Sequence, residues 1–339
     1  MTRYSRQISL PQIGPAGQER IAKARVLVFG CGALGSIQAE LLARAGVGFL
    51  RIVDRDIPDW SNLPRQFLFE EKDVEEQIPK ATAAAEKLRR INSRITIESR
   101  VMDVTIQNFE SLLQGIDLVI DGVDNFEARY LLNDLCVKMG IPWIYGGIQG
   151  TNALAMPIIP GVGPCLQCVF PEPPPQGLVP TCDVAGVLNT SPAVAASLQV
   201  SQAIRIIVEG GDGRENDVRL VSVDPWTGMA QSILVERHQE CLCCVKSKFL
   251  FLEANNTSRS ATLCGRQAVQ ISPAQPQCLD LAKLADSLES LGKVVRRREV
   301  LEFEVEGMRL VIFPDARVVV HGTADLSVAR SLVSRYFGS

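Results

Sequence analysis

Between Arg25 and Gly147, short apolar runs alternate with helical patterns, and the first run ends in Gly30-Cys31-Gly32-Ala33-Leu34-Gly35. No other feature constrains the fold as much. Glycines at the first, third and sixth positions of a turn that leaves a buried strand (26–30) and opens a helix (33–45) permit a tight reversal. They also let a phosphate approach the helix N-terminus. Further strands are expected at 50–54, 95–101, 118–121 and 143–147, with helices at 80–91 and from Asn108 and Phe126 between them. Buried strands alternating with helices predict a doubly wound, Rossmann-like α/β sheet with its site at the strand C-termini. On the turn alone, a dinucleotide and ATP fit equally, and Asp54 stands about 20 residues on, where a ribose-binding acid belongs.

Beyond this region the texture changes. The stretch from Pro157 to Pro180 is crowded with prolines, Pro173, Pro174 and Pro175 among them, and reads as a long irregular connection. A helix (about 192–208), strands near 219–223 and 229–235, and a cysteine cluster follow. Residues 253–258 resemble a linker, and the tail reads β-α-β-β-β-α. The expected division is a large N-terminal domain (1–245), a linker (246–262) and a small C-terminal α+β module (263–339). A formal charge of −3 with both signs mixed favours neither nucleic acid nor an anionic membrane. The N-terminus lacks an apolar signal region, and no apolar run is expected to span a bilayer, which predicts a cytoplasmic protein. In that compartment the 10 cysteines stay reduced.

The second strand continues as VDRDIPDWSNLPRQ and decides between the nucleotides. A dehydrogenase needs one acid here. This stretch supplies Asp54, Asp56, Asn62, Arg65 and Gln66, and Lys80 opens the next helix. Two cations converging on the glycine turn suit a triphosphate attacked at its α-phosphorus, because nucleophile and target are both anionic. After the fourth strand, DGVDNFEAR presents Asp121 and Asp124 as hard oxygen ligands for magnesium. Singly, Asp56 could cap a turn, Asn62 brace a loop and Arg65 be a surface charge; jointly they favour ATP.

These motifs resemble the E1-like ThiF/MoeB/HesA family, the bacterial enzymes that adenylate the sulfur carriers of molybdopterin and thiamin synthesis. The likeness runs from Arg3 to about Cys244 through RYSRQ, GCGALG, DRD, SNLPRQ, PKA, DNFEAR, CLQC, TCDVAGV and CLCC. It implies ATP on Gly30, Gly32, Gly35, Asp54, Asp56, Asn62, Gln66, Arg65 and Lys80, with Asp124 serving Mg2+. Arg6 resembles an arginine that enters the partner's site across a homodimer. The substrate implied is the C-terminal glycine of a small ubiquitin-like (β-grasp) sulfur-carrier protein ending in Gly-Gly. No histidine base is needed, since that carboxylate is ionised at neutral pH.

Two distant cysteine pairs match a four-thiolate zinc site, and Cys165, Cys168, Cys241 and Cys244 are the expected ligands, as in the family. Cys243 could compete for the metal, and His238 is a further alternative. Cys182 resembles a cysteine that carries the activated carrier covalently in several relatives, while other relatives stop at adenylation. Cys264, in the module's TLCGR stretch, reads as a buried small side chain or as a sulfur carrier. Competing readings are a carrier-binding module without catalysis, an oxidoreductase, and an E1-like enzyme acting on a peptide C-terminus or a tRNA base.

Overall fold

Val26, Leu27, Val28 and Phe29 are buried on both faces of strand β1 (Arg25–Phe29), which is why this strand is an unbroken apolar run. The computed structural model describes residues 3–173, 186–210, 218–253, 260–263, 267–273 and 277–337. The chain divides into two compact units, Met1–Val74 with Pro79–Ala254, and Glu75–Ile78 with Asn255–Ser339.

In the first unit β1 pairs parallel with β2 (Phe49–Asp54), which pairs with β3 (Thr96–Val101). On its other side β1 pairs parallel with β4 (Leu118–Asp121), and β4 with β5 (Trp143–Gln149). An antiparallel extension of β6 (Asn152–Ile158), β7 (Arg219–Asp224) and β8 (Met229–Leu234) completes the order β3-β2-β1-β4-β5-β6-β7-β8. The helices are α1 (Ser5–Ile8), α2 (Gly14–Lys23), α3 (Ala33–Ala45), α4 (Glu71–Glu75), α5 (Lys80–Ile91), α6 (Ile106–Leu112), α7 (Phe126–Met139), α8 (Leu166–Val169), α9 (Ser191–Glu209) and α10 (Leu250–Glu253). Helix α7 starts at an Asn125 cap, whose side chain accepts from the Ala128 N–H at 2.8 Å. It ends at Gly140, where φ is 71°.

The doubly wound sheet agrees with the sequence pattern, and three local readings are corrected. Helix α8 lies in the stretch read as irregular, and strand β6 runs into it at Pro157 and Ile158. Pro157 is accommodated in β6 because β7 pairs only with 153–155, leaving that end of the strand without a partner on its outer side. Helix α9 is long and apolar enough, by length and composition, to cross a membrane, whereas no such run was expected. Its Ala195, Ala196, Val200 and Ala203 are buried in the core.

The second unit has more strands than the pattern suggested. Its sheet, in the order β11-β12-β13-β14-β10-β9, is wholly antiparallel. It consists of β9 (Ser260–Leu263), β10 (Ala268–Ile271), β11 (Lys293–Arg296), β12 (Leu301–Val305), β13 (Met308–Ile312) and β14 (Val318–His321), with α11 (Leu281–Leu288) and α12 (Leu326–Phe337). Strand β9 begins inside the stretch taken for a linker. Only Glu306 and Gly307, with φ of 52° and 76°, separate β12 from β13 in a tight hairpin. Val269, Phe303, Leu310 and Val320 pack with Ala285, Leu288, Ala329 and Leu332 as this unit's core.

Candidate active site

The chain leaves β1 toward β2 and β3, then returns to the opposite side of β1 for β4 and β5, so a crevice opens where β1 and β4 end. The glycine turn lies there. Gly30 has φ of 87°, and a Cβ on it would stand 2.8 Å from the Gly122 carbonyl carbon. A Cβ on Gly35 would stand 1.8 Å from the Gly30 oxygen, so this glycine lets α3 seat against the turn. Gly32 differs: a Cβ there meets nothing closer than the Gln66 side-chain nitrogen at 3.9 Å. Protein packing does not require glycine at 32, whereas close approach of a ligand would.

Asp54, at the end of β2, holds this turn. Its Oδ2 accepts from the Cys31 N–H at 2.6 Å and its Oδ1 from the Asp56 N–H at 2.7 Å. Burial pushes the Asp54 carboxyl up and the charge of Lys80 opposes that rise. Lys80 is buried at the first position of α5, with its ammonium 3.5 Å from Asp56 Oδ2. Gln66 is buried as well, and its Oε1 has no hydrogen-bond partner. That orphaned oxygen, on an amide whose nitrogen lies beside Gly32, fits a polar ligand in the crevice. Asn62 is buried in a capping box, where its Oδ1 accepts from the Asp59 N–H at 3.1 Å. Arg65 is partly exposed, and its guanidinium donates to the Ser61 carbonyl at 2.6 Å.

The two acids after β4 have separate fates. Asp121 is fully buried and its carboxylate accepts from Arg129 Nε at 2.9 Å and from the Val123 N–H at 3.0 Å. It is therefore spent inside the fold and is not a magnesium ligand as the motif suggested. Asp124 is exposed and makes no hydrogen bond among the described residues. A solvent-facing carboxylate at the sheet's switch point suits a hard cation. Arg55, which sequence reasoning passed over, links the group: it pairs with Asp103 at 3.1 Å and approaches Asp56 at 3.8 Å. Burial works against its charge, but Asp56, Asp103 and Asp124 outweigh it and raise its pKa. Its place between the two acids of DRD was the available signal.

Arg6 is not brought to this crevice within the chain. The rest of its motif is tied down: Arg3 donates to the Ile91 carbonyl at 2.9 Å, Asn92 donates to Tyr4 Oη at 2.9 Å, and Gln7 donates to Gln18 at 2.7 Å. Arg6 itself is exposed and unpaired among the described residues.

The thiols of Cys165, Cys168, Cys241 and Cys244 lie within 4.8 Å of one another, and neither Cys243 nor His238 belongs to the group. Cys165 and Cys241 are 3.6 Å apart and Cys168 and Cys244 3.5 Å, near the roughly 3.8 Å edge of a zinc–thiolate tetrahedron. Cys243 Sγ accepts from Asn133 at 3.2 Å and also lies beside Cys165, without entering the group of four. Hydrogen bonds from neighbouring thiols pull Cys165 well below its usual range, and Cys165 in turn pushes Cys168 up to about 12. Four thiols so placed ionise together only around a cation, which makes the set fit zinc. Helix α7 holds both knuckles. Asn133 Oδ1 accepts from the Leu166 N–H at 2.9 Å, Asp134 accepts from Gln167 Nε2 and the Phe251 N–H, both at 2.9 Å, and Tyr130 donates to the Phe170 carbonyl at 2.7 Å. Cys182, Cys264 and the proline-rich residues 174–180 lie outside the described residues.

A ThiF family model matches residues 4–244. Over 339 residues, 99% of each chain, the protein is 38% identical to the sulfur carrier protein ThiS adenylyltransferase of Bacillus subtilis (strain 168). It is 39% identical to the sulfur carrier protein adenylyltransferase of Thermus thermophilus over 72% of this chain and 90% of that one. Escherichia coli MccB, solved with ATP, superposes with a TM-score of 0.62 over 72% of this chain and 74% of that one. At 22% identity that likeness concerns the fold. The glycine turn, the acid at the end of β2, the buried lysine opening α5 and the four-cysteine cluster all fall inside the matched span, and the chain belongs to the ThiF family.

Proposed function

We propose that the protein uses ATP to adenylate the C-terminal glycine of a ubiquitin-like sulfur-carrier protein of the ThiS type, ending in Gly-Gly, and releases pyrophosphate. The observation that carries this reading is the 38% identity over 99% of both chains with an adenylyltransferase named for ThiS. The crevice at the ends of β1 and β4 supports it.

In this mechanism ATP lies across the glycine turn, with its phosphates at the N-terminus of α3. Asp54 binds the ribose through the lone pairs left after its two backbone bonds. Lys80 and Arg65 supply fixed positive charge to the phosphates, and Asp56, Asn62 and Gln66 line the nucleotide. Asp124 would hold a magnesium ion, which when bound screens the phosphate charge. A glycine carboxylate oxygen attacks the α-phosphorus, the acyl–phosphate bond forms, and the bond to pyrophosphate breaks. No proton leaves the nucleophile, because the carboxylate is already ionised.

The further parts of the proposal are a zinc ion on Cys165, Cys168, Cys241 and Cys244, a homodimer in which Arg6 serves the neighbouring crevice, and a covalent step at Cys182. A catalytic domain of 1–245 and an accessory module of 263–339 complete it. ATP–pyrophosphate exchange tests the central claim: it should require Mg2+ and a Gly-Gly-ended carrier. Tight NADH binding without ATP binding would refute it.

A further inference from the structure

We infer that Asp121 and Arg129 form a buried brace that sets the Asp124 carboxylate in place, which makes them positioning residues for the cation-binding turn. This rests on the magnesium role given to Asp124 above. It assigns work to two residues that no substrate atom need touch.

The brace starts at the end of β4. The Asp121 carbonyl accepts from Gln38 Nε2 on α3 at 2.8 Å and from Gln199 Nε2 on α9 at 2.9 Å, so the peptide is pinned from two helices. The side chain then reaches forward. One oxygen takes the Val123 N–H at 3.0 Å; the other takes Arg129 Nε at 2.9 Å and the Gly146 N–H at 3.3 Å. Arg129 returns along the same turn and donates through Nη2 to the Val123 carbonyl at 2.7 Å and the Gly146 carbonyl at 2.8 Å. Both backbone polar groups of Val123 are thus held, one by each member of the pair.

On the other side of Asp124, Asn125 is fixed as the cap of α7 by its bond from the Ala128 N–H at 2.8 Å. Asp124 is a carboxylate without hydrogen bonds among the described residues, placed between two anchored neighbours. Arg129 is itself only 7% exposed and lies beside the rings of Phe126 and Tyr145, so it is engaged with the turn and not with the crevice. A buried ion pair adds little net stability for the desolvation it requires. Here its hydrogen bonds converge on the residue before Asp124, and that convergence points to positioning.

The test uses Arg129→Lys and Asp121→Asn in the full chain, with Mn2+ as the probe. Electron paramagnetic resonance titration of Mn2+ in the presence of ATP reads the cation site without needing turnover. Both variants should weaken Mn2+ by about 10- to 100-fold. The half-saturating Mg2+ for pyrophosphate exchange should rise in parallel, while KM for ATP at saturating Mg2+ stays within about threefold. On an Asp124→Asn background Arg129→Lys should weaken Mn2+ no further. Unchanged Mn2+ affinity in either folded variant, or additive losses on the Asp124→Asn background, would overturn the brace. If the wild type shows no exchange while Mn2+ binding responds as stated, adenylation is wrong and the brace stands.

Discussion

Gly35 seats α3 on the glycine turn so closely that a Cβ would lie 1.8 Å from the Gly30 carbonyl oxygen, while one on Gly32 would meet nothing within 3.8 Å. The two glycines therefore serve different masters, the fold and the ligand. Gly35→Ala should cost on the order of 3 kcal/mol, read as a lowered urea midpoint. Gly32→Ala should cost less than about 1 kcal/mol yet raise KM for ATP, and equal stability losses in the two variants would refute the distinction.

Lys80 is buried and Asp124 exposed, so their substitutions should separate. Asp124→Ala should reduce magnesium-dependent exchange by about 100- to 1000-fold while carrier binding, measured by calorimetry, survives. Lys80→Met should lose exchange to a similar degree and also weaken ATP binding, since the proposed mechanism gives the ammonium beside Asp56 to the phosphates.

Elemental analysis should find about one zinc per chain. Cys168→Ser should empty the site and destabilise the first unit by ~3 kcal/mol, lowering Tm by roughly 6–12 °C. Cys243→Ser should keep the zinc, because Cys243 bonds to Asn133 outside the four-thiol group. Loss of metal in that variant would show that the ligand set is misassigned.

Arg6, exposed and unpaired among the described residues, is the side chain that the proposed homodimer gives to the neighbouring crevice. Arg6→Ala and Asp124→Ala chains should each be nearly inactive, and mixing them should restore part of the exchange once subunits have traded places. No recovery after demonstrated subunit exchange would count against a shared crevice.

Cys182→Ser should leave pyrophosphate exchange nearly intact and abolish a thiol-sensitive adduct between enzyme and carrier. Intact-mass analysis before and after dithiothreitol reads that adduct. Product formation by a wild type that never shows it would reduce Cys182 to a structural residue.

Much of the site was legible because its chemistry sits on short-range signals. The turn from Gly30 to Gly35, Asp54 at the end of the next strand and Lys80 at a helix start are readable from periodicity and residue type. What escaped was what only long-range packing decides. Asp121 and Asp124 are equivalent as letters, and the difference lies in Arg129, one turn into α7, reaching back to the first of them. Arg55 gains its place only when β3 brings Asp103 alongside β2. Strand β6 was hidden because Pro157 argues against a strand unless one edge goes unpaired.

Helix α7 has a further consequence, one of timing. Its start fixes the turn around Asp124, and Tyr130, Asn133 and Asp134 farther along take their partners from Phe170, Leu166, Gln167 and Phe251. A ribosome that has released residue 150 has already made every crevice residue, yet this helix still waits for neighbours that are not synthesised. A chain cut before Phe251 therefore carries all the nucleotide-binding residues but lacks part of the frame that holds α7.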